Sequence, residues 1–464
     1  MPQSSSPNRV VSSYFAPGIQ VSKLKALSSG AQIGKALDGD VLGDIIKAEV
    51  TQVCSGASQY SITFNNWNTT TAADRSGRNG SDDPIPDARE LSGVSQPRWP
   101  RFKYNDFSLL AFGQRLRVDM RYWPKPPTDV QLSKPAAQAQ SWVPMVCGPI
   151  TDMRFDFTSS SGARVVVSGE DDLSQLKDRR ESRKEFQKAP EIQIIQQVLK
   201  LAEYPITTIA DSQVPLPSFV NDNSQGIVES ILDGQSYLEF IQKLADRLDF
   251  EVFIEFSDLT NPQSALAFHF EPSRSRVKPD TSSGDVFILQ RDSNLVEFTP
   301  SIKVVEQPSQ SEVKGRHRDR NNPTKVTATA APSILSDELH PDDSTGTVQE
   351  LVPGPLVRAH FFPNRKDNPL ASPNETNIDP ARASTLAEAL LRRKARDFFT
   401  IEGTALGLPR LRPGNHIQIT GMRPPFDGFF YVTKTVHTYG ADGLRVKFSA
   451  RRPGMALPPY GEGQ

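Results

Sequence analysis

The sequence predicts a mainly β chain of α+β character: two related antiparallel β-barrel domains, an intervening small α/β module, and long loop insertions. Three observations lead there. Strict apolar–polar alternation occurs near both ends, as in Leu116, Val118, Met120 and Tyr122 set against Arg115, Arg117, Asp119 and Arg121; period two marks a strand with one buried and one exposed face. Helical periodicity is confined to the middle and to one stretch before the last strands. Glycines recur at matched places in the two strand-rich regions.

Residues 1–14 read as a flexible tail; Met1 to Asn8 is rich in Pro, Ser and Gln and lacks the layout of a secretory signal. The first barrel spans 15–184. Ile46, Ala48 and Val50 alternate with Lys47, Glu49 and Thr51, then Tyr60, Ile62 and Phe64 with their polar neighbours, and Ser55–Ser58 supplies the turn between. Stretches at about 68–100 and 124–141 have turn-forming composition without period and read as loop insertions. Strands near Val143–Phe157 and Ala163–Ser168 close the region.

The α/β module spans 185–290. Ile192, Ile195, Leu199 and Ala202 mark one helical face behind Pro190, where proline is tolerated. Ser236 to Glu239 is a capping-box sequence opening a second helix with a stripe of Leu238, Ile241, Leu244 and Leu248. Strands at Phe250–Phe256 and Ala265–Phe270 follow.

The second barrel spans 291–455, with strands near Leu295–Val305, Ser311–Gly315 and Lys325–Thr329, a loop at 331–377, and a helix at 381–399 capped by Asp379-Pro380. Closing strands are read at His416–Thr420, Phe429–Tyr439 and Leu444–Ser449, and 456–464 as a C-terminal tail.

The chain has 464 residues, 53 basic and 54 acidic, so no global field recruits nucleic acid or an anionic membrane. No apolar run approaches the roughly 18 residues that span a bilayer, so no membrane anchor is expected. Two cysteines, Cys54 and Cys147, exclude a disulfide framework; two buried free thiols are preferred to a bond between them. The 38 prolines cluster between patterned segments, the mark of compact domains with long loops.

The repeat is the organising signal. Gly113, Gly148 and Gly162 stand at strand corners in the first barrel, and Gly414, Gly428 and Gly443 in the second, each set separated by alternating strands. The first interval is longer in the first copy by about the length of the 124–141 loop, as an insertion at a hairpin tip would make it.

The C-terminal third carries a helix, then Gly403-x-x-x-Gly407, Arg412-Pro413-Gly414, Gly428-x-x-Tyr431-Val432 and His437-x-Tyr439. In this order of motifs, and more faintly in Pro17–Val53 and in Ile302–Val305 leading to Val313-Lys314-Gly315, the chain resembles the phage late control D protein family, relatives of the N-terminal hub of VgrG and of contractile-tail baseplate hubs. Gly315-Arg316-His317-Arg318-Asp319 departs from that pattern, where an aromatic-containing strand end is expected.

The resemblance implies a homotrimer whose six barrels give a pseudo-sixfold ring, joining a threefold spike protein below to a sixfold inner tube or tube-initiator protein above, with baseplate wedge proteins as further partners. It also implies assembly in the cytoplasm and residence in the baseplate of the finished particle. The resembling hubs continue into a needle; here the sequence ends soon after Arg452-Pro453-Gly454, and a piercing tip is expected on another protein.

No catalytic, cofactor or metal site is expected. His269, His317, His340, His360, His416 and His437 lack ligand spacing, and nucleophile-elbow and phosphate-loop motifs are missing. Glu170-Asp171-Asp172 is the one carboxylate cluster weighed for acid–base work, and a solvated strand end is the preferred reading. The mixed-sign run Lys177 to Lys184 reads as an exposed helix or linker. Arg316, Arg318 and Arg320 read as an exposed loop before a ring lumen or partner contact. The competing function is a phage-tail-associated carbohydrate-binding or cell-wall-degrading protein, which needs two carboxylates roughly 5–10 Å apart and surface aromatics, for which Trp67, Trp99, Trp123 and Trp142 are available.

Overall fold

The computed structural model describes residues 15–24, 35–67, 102–124, 142–158, 162–180, 183–187, 189–206, 209–220, 229–259, 265–280, 286–319, 322–341, 350–365, 368–372, 374–376 and 378–457. The 68–100 loop, Trp99 with it, Arg320 and the 1–14 tail fall outside these residues, as does all but Pro124 of the 124–141 loop.

Six strands build the first lobe: β1 (Phe15–Leu24), β2 (Ile45–Val53), β3 (Gln59–Asn65), β4 (Arg115–Pro124), β5 (Val143–Thr158) and β6 (Gly162–Glu170). They pair antiparallel in the order β1-β4-β5-β6-β3-β2. Alternation places Tyr60, Ile62, Phe64, Leu116, Val118, Met120, Val165 and Val167 in one core. Ala48 and Val50 join it, while Ile46 is 39% exposed. The cause is a bulge between Ile45 and Lys47, which shifts the strand's phase.

The module follows: β7 (Lys184–Gln187), α1 (Glu191–Leu201), β8 (Glu229–Leu232), α2 (Tyr237–Leu248), β9 (Phe250–Phe256) and β10 (Leu266–Pro272). Its core packs Ile194, Ile195, Val198, Leu238, Ile241, Phe250 and Phe270, and recruits Leu173 and Leu176 from the end of the first region. Ser236 forms the capping box with Glu239, and α2 ends on Asp249 in the left-handed conformation, φ 58°.

The second lobe begins with β11 (Val286–Gln290) and β12 (Leu295–Ile302). The chain then departs through β13 (Gln310–Asp319), β14 (Asn322–Ala330), β15 (Leu351–Pro353), α3 (Gly354–Phe361), β16 (Pro369–Ala371), β17 (Glu375–Thr376) and α4 (Pro380–Arg396). It returns with β18 (Phe399–Leu406), β19 (His416–Thr420), β20 (Gly428–Gly440), β21 (Gly443–Arg452) and β22 (Gly454–Ala456).

Several sequence expectations change here. β13 pairs with β14, β16 and β17 in a separate four-stranded sheet, packed on α4 through Val313, Val326, Ile378, Ala383 and Leu391; β13 and β14 are an excursion from the second lobe rather than its first strands. The 331–377 stretch, read as loop, holds α3 and three short strands. The helix read to 399 ends at Arg396, and Phe399 opens β18, a strand the pattern missed. Residues 286–290, assigned to the module, pair with β19 instead, and Ala456, assigned to the tail, ends β22 against Leu351.

The lobe strands follow one scheme twice. The second lobe pairs in the order β11-β19-β20-β21-β18-β12, so strands taken first to sixth in sequence stand in the order 1-4-5-6-3-2 in both. Two irregularities match too, while a third, between Val118 and Asp119 against β5, has no counterpart between β19 and β20. The bulge at Ile45/Lys47 against β3 has its counterpart at Leu295/Glu297 against β18, and that at Ile150/Asp152 against β6 its counterpart at Val432/Lys434 against β21. One strand breaks the match: β1 runs antiparallel to β4, whereas β11 runs parallel to β19. β2 of the first lobe pairs with β20 of the second, so both lobes share one twelve-stranded sheet that branches at β20.

Candidate functional site

Two features tie the molecule together: the β2–β20 joint between lobes, and a buried charge network that fixes the module to the second lobe. At the joint, Ala48–Val53 run antiparallel to Lys434–Tyr439. The Cys54 N–H donates to the Thr433 carbonyl at 3.0 Å, so even-numbered β2 residues point their amides across the seam. Ala48, Val50, Thr435 and His437 are fully buried there. His437 Nε2 lies 2.9 Å from the Leu411 carbonyl; burial, with Arg412 beside it, pulls its pKa down to about 3 and keeps the ring neutral.

The network centres on Arg396 at the end of α4. Its guanidinium donates to both carboxylate oxygens of Asp249, at 2.7 Å for Nη2 to Oδ2, and to Glu338 at 2.7 and 2.9 Å. Arg392, one turn earlier, reaches Glu338 and Asp337, and Arg276 reaches Asp249. Glu338 also accepts from Ser275 Oγ at 2.9 Å. A second branch links Ser273 to Glu251 and Glu251 to the Tyr431 hydroxyl of β20, at 2.8 and 2.6 Å. Burial alone would raise Glu338; Arg396 and Arg392 overturn that and hold it far below the usual carboxylate range.

The carboxylate cluster is turned inward rather than solvated. Asp171 accepts from the Ser58 and Leu173 amides at 2.7 and 3.0 Å, and Asp172, fully buried, pairs with Arg115; Glu170, at the surface, pairs with Lys177 at 2.6 Å. Burial pushes Asp171 up to about 7. The triplet thus supplies a cap at Asp171 and ion pairs at Glu170 and Asp172. Arg117 and Asp119, which alternation would send to solvent, are buried as a 2.8 Å pair beneath Phe256 of the module.

Among the described residues no group of His, Cys, Asp and Glu has the arrangement of a metal site, and no helix is long and apolar enough to cross a membrane. His340 and His416 stack edge to face, 5.3 Å between centroids. His269 lies 3.2 Å from Glu271. Cys54 and Cys147 are free thiols, Cys147 buried and Cys54 half-buried, and burial pushes both up to about 12. Of the tryptophans, Trp67 is 48% exposed and Trp142 stacks beneath Arg121.

The corner glycines fall into two groups. Gly113 and Gly414 have φ of 74° and 92°, and their amides donate to Ile150 and Val432, at 2.9 Å in each lobe. Gly162 and Gly443 begin the matching strands β6 and β21 with φ of 75° and 86°. Gly148 and Gly428 do not correspond. Gly148 lies opposite Leu116, whose counterpart Ile417 lies opposite Phe430, two residues beyond Gly428. Their requirements differ as well: a Cβ on Gly148 would sit 1.7 Å from the Glu170 carbonyl, whereas Gly428 has φ 117°.

No protein-family profile matches the chain, and no curated protein matches it in sequence. Solved structures do. A tail protein from Neisseria meningitidis MC58 aligns over 94% of this chain and 96% of its own, at 10% identity and TM-score 0.52. The 43 kDa tail protein of prophage MuSo2 from Shewanella oneidensis aligns over 94% and 99%, at 12% identity and TM-score 0.52. A weaker likeness, TM-score 0.47 at 12% identity over 90% and 74%, is to the E. coli c3393 protein, a component of the type VI secretion system. The chain is mainly antiparallel β, and along nearly its whole length it has the fold of these phage and prophage tail proteins.

Proposed function

We propose that this chain is the structural baseplate hub of a contractile, phage-tail-like injection machine, akin to late control D and VgrG-type hubs, and that it acts by assembly rather than catalysis. Three copies form a ring whose six lobes join a threefold spike below to a sixfold inner tube or tube initiator above, with wedge proteins at the periphery. It assembles in the cytoplasm and ends in the baseplate.

One observation carries this reading: a single chain holds the 1-4-5-6-3-2 strand order twice, with bulges in register. A chain with two equivalent lobes converts threefold into sixfold symmetry when three copies close. The tail-protein fold supports the same setting. Light scattering on purified protein across a concentration series tests it. The expected mass is three times that of the chain; a mass that stays monomeric at the highest concentration, with and without the spike protein, overturns the reading.

A further inference from the structure

Repetition of the lobes has a consequence for the sheet's free edges. Within one chain, the last strand of the first lobe's order, β2, pairs with the fifth strand of the second, β20. The corresponding strands the other way round are β12 and β5. Both are open at the corresponding stretch. Among the described residues Phe298–Ile302 of β12 pair only with β18, and Asp152–Phe157 of β5 pair only with β6. Two copies of the chain can use these two edges on each other.

We infer that the open edge of β12 pairs antiparallel with Asp152–Phe157 of β5 in a second copy of this chain, repeating between subunits the joint that β2 and β20 make within one. This deepens the assembly reading and rests on it. The register follows from the matched bulges: Ala48–Val53 correspond to Phe298–Lys303, and Lys434–Tyr439 to Asp152–Phe157. Transferring the internal pairing sets Phe298 opposite Phe157, Pro300 opposite Phe155, and Ile302 opposite Met153. Between them Thr299 faces Asp156, Ser301 faces Arg154, and Lys303 faces Asp152. Apolar residues meet apolar residues on one face, and on the other the polar set includes an opposite-charge pair. A slip of one residue would destroy both matches, which is how a pairing register is specified.

Burial points the same way. Ala48, Val50 and His437, fully buried at the internal joint, correspond to Phe298, Pro300 and Phe155, all half-buried. Phe157 is 54% exposed and lies 4.8 Å from the Phe102 ring; Phe155 meets Phe107 at 6.1 Å, and Phe112, 58% exposed, extends the ledge. A single subunit leaves this aromatic ledge wet beside an unpaired edge, a combination that soluble chains cover.

Backbone directions also agree. The Lys303 N–H donates inward to the Phe398 carbonyl at 2.8 Å, so the amides of Phe298 and Ile302 face the open side, as even-numbered β2 residues face β20. Pro300 has no amide to give there, which costs the ladder one bond; its carbonyl still accepts from Phe155. The contact is heterologous, β12 of one copy on β5 of the next, the type that closes into rings.

Ser301 and Arg154 are exposed and form a non-hydrogen-bonded pair in this register, within disulfide reach. The test mixes two single variants, Ser301→Cys and Arg154→Cys, under mild oxidation, with light scattering on the same samples. Expected is a covalent dimer in the mixture at least tenfold above either variant alone, and covalent trimers when one chain carries both changes. Trimers by mass that give no mixed cross-link, or that link like with like, overturn this seam and leave the ring standing. A monomer by mass overturns both. A slipped register reveals itself if Ser301→Cys links instead to Phe155→Cys or Met153→Cys, and that too overturns the pairing.

Discussion

Thr151 and Thr433 do the same work in the two lobes: each is the residue left over at a β-bulge, and each hydroxyl donates to the carbonyl of a serine on the neighbouring strand. The distances are 3.4 Å to Ser168 and 3.1 Å to Ser449. Their surroundings differ, since Thr151 is exposed and Thr433 half-buried. Thr433→Val should therefore cost about 0.5–1.5 kcal/mol in urea denaturation, and Thr151→Val close to nothing, because water replaces the bond. Equal losses would mean that the two bulges are not differently solvated.

Arg396 neutralises two fully enclosed carboxylates, Asp249 and Glu338. Arg396→Met removes the cation and leaves both acids inside, so a loss of about 3–5 kcal/mol is expected. Hydrogen exchange should quicken first at the end of α2 and along α4, where the network anchors the module. A variant with unchanged exchange there would show that the module is held by packing alone.

His437 gives a pH signature with a definite sign. Its folded pKa, about 3, lies below the ordinary histidine value of 6.5, so between those limits the unfolded chain binds the extra proton and stability falls as pH falls. Asp171, pushed up to about 7 from 3.8, acts oppositely: the folded chain binds the proton, and stability falls as pH rises through that window. His437→Gln should remove only the first effect. Between pH 4 and pH 6 the slope of unfolding free energy against pH should then be lower than the parent's by up to about 1.4 kcal/mol per pH unit, leaving the opposing Asp171 slope exposed. Parallel curves would place the acid sensitivity elsewhere, with His416 the next residue to replace.

Gly148→Ala should fail where Gly43→Ala succeeds. The added carbon at Gly148 meets the backbone of Glu170, which cannot move without parting β5 from β6, whereas at Gly43 nothing lies within 4 Å. The expected result is loss of soluble folded protein for the first and a melting temperature unchanged or slightly raised for the second. A folded Gly148→Ala variant would mean that the sheet can open there.

Alternation carried most of the strands, because one face of each is buried in a lobe and the other is not. It placed Tyr60, Ile62 and Phe64 correctly and Ile46 wrongly, since a bulge adds a residue that periodicity does not foresee. It could not see that Arg117 and its partner Asp119 are buried, because Phe256 reaches Arg117 from more than a hundred residues away. β18 escaped notice for a local reason: Phe398 and Phe399 continue the helical stripe of α4 by sequence, although the chain turns between Arg396 and Phe399. Of the glycine pairs read from the sequence, Gly113 with Gly414 and Gly162 with Gly443 share a positive φ at matched strand positions. The third slipped because Gly148 is there for close approach and Gly428 for a positive φ, and glycine spacing alone does not distinguish these demands.

The opposite directions of β1 and β11 divide each lobe into a constant and a replaceable part. Five strands keep their order and direction, and two of their bulges, from one copy to the other; the sixth only needs to lie along the same neighbour, from whichever end the preceding segment delivers it. An engineer rewiring this molecule should accordingly cut at that outermost ribbon, exchanging it for a tethered peptide or a fused domain, and leave the remaining quintet alone.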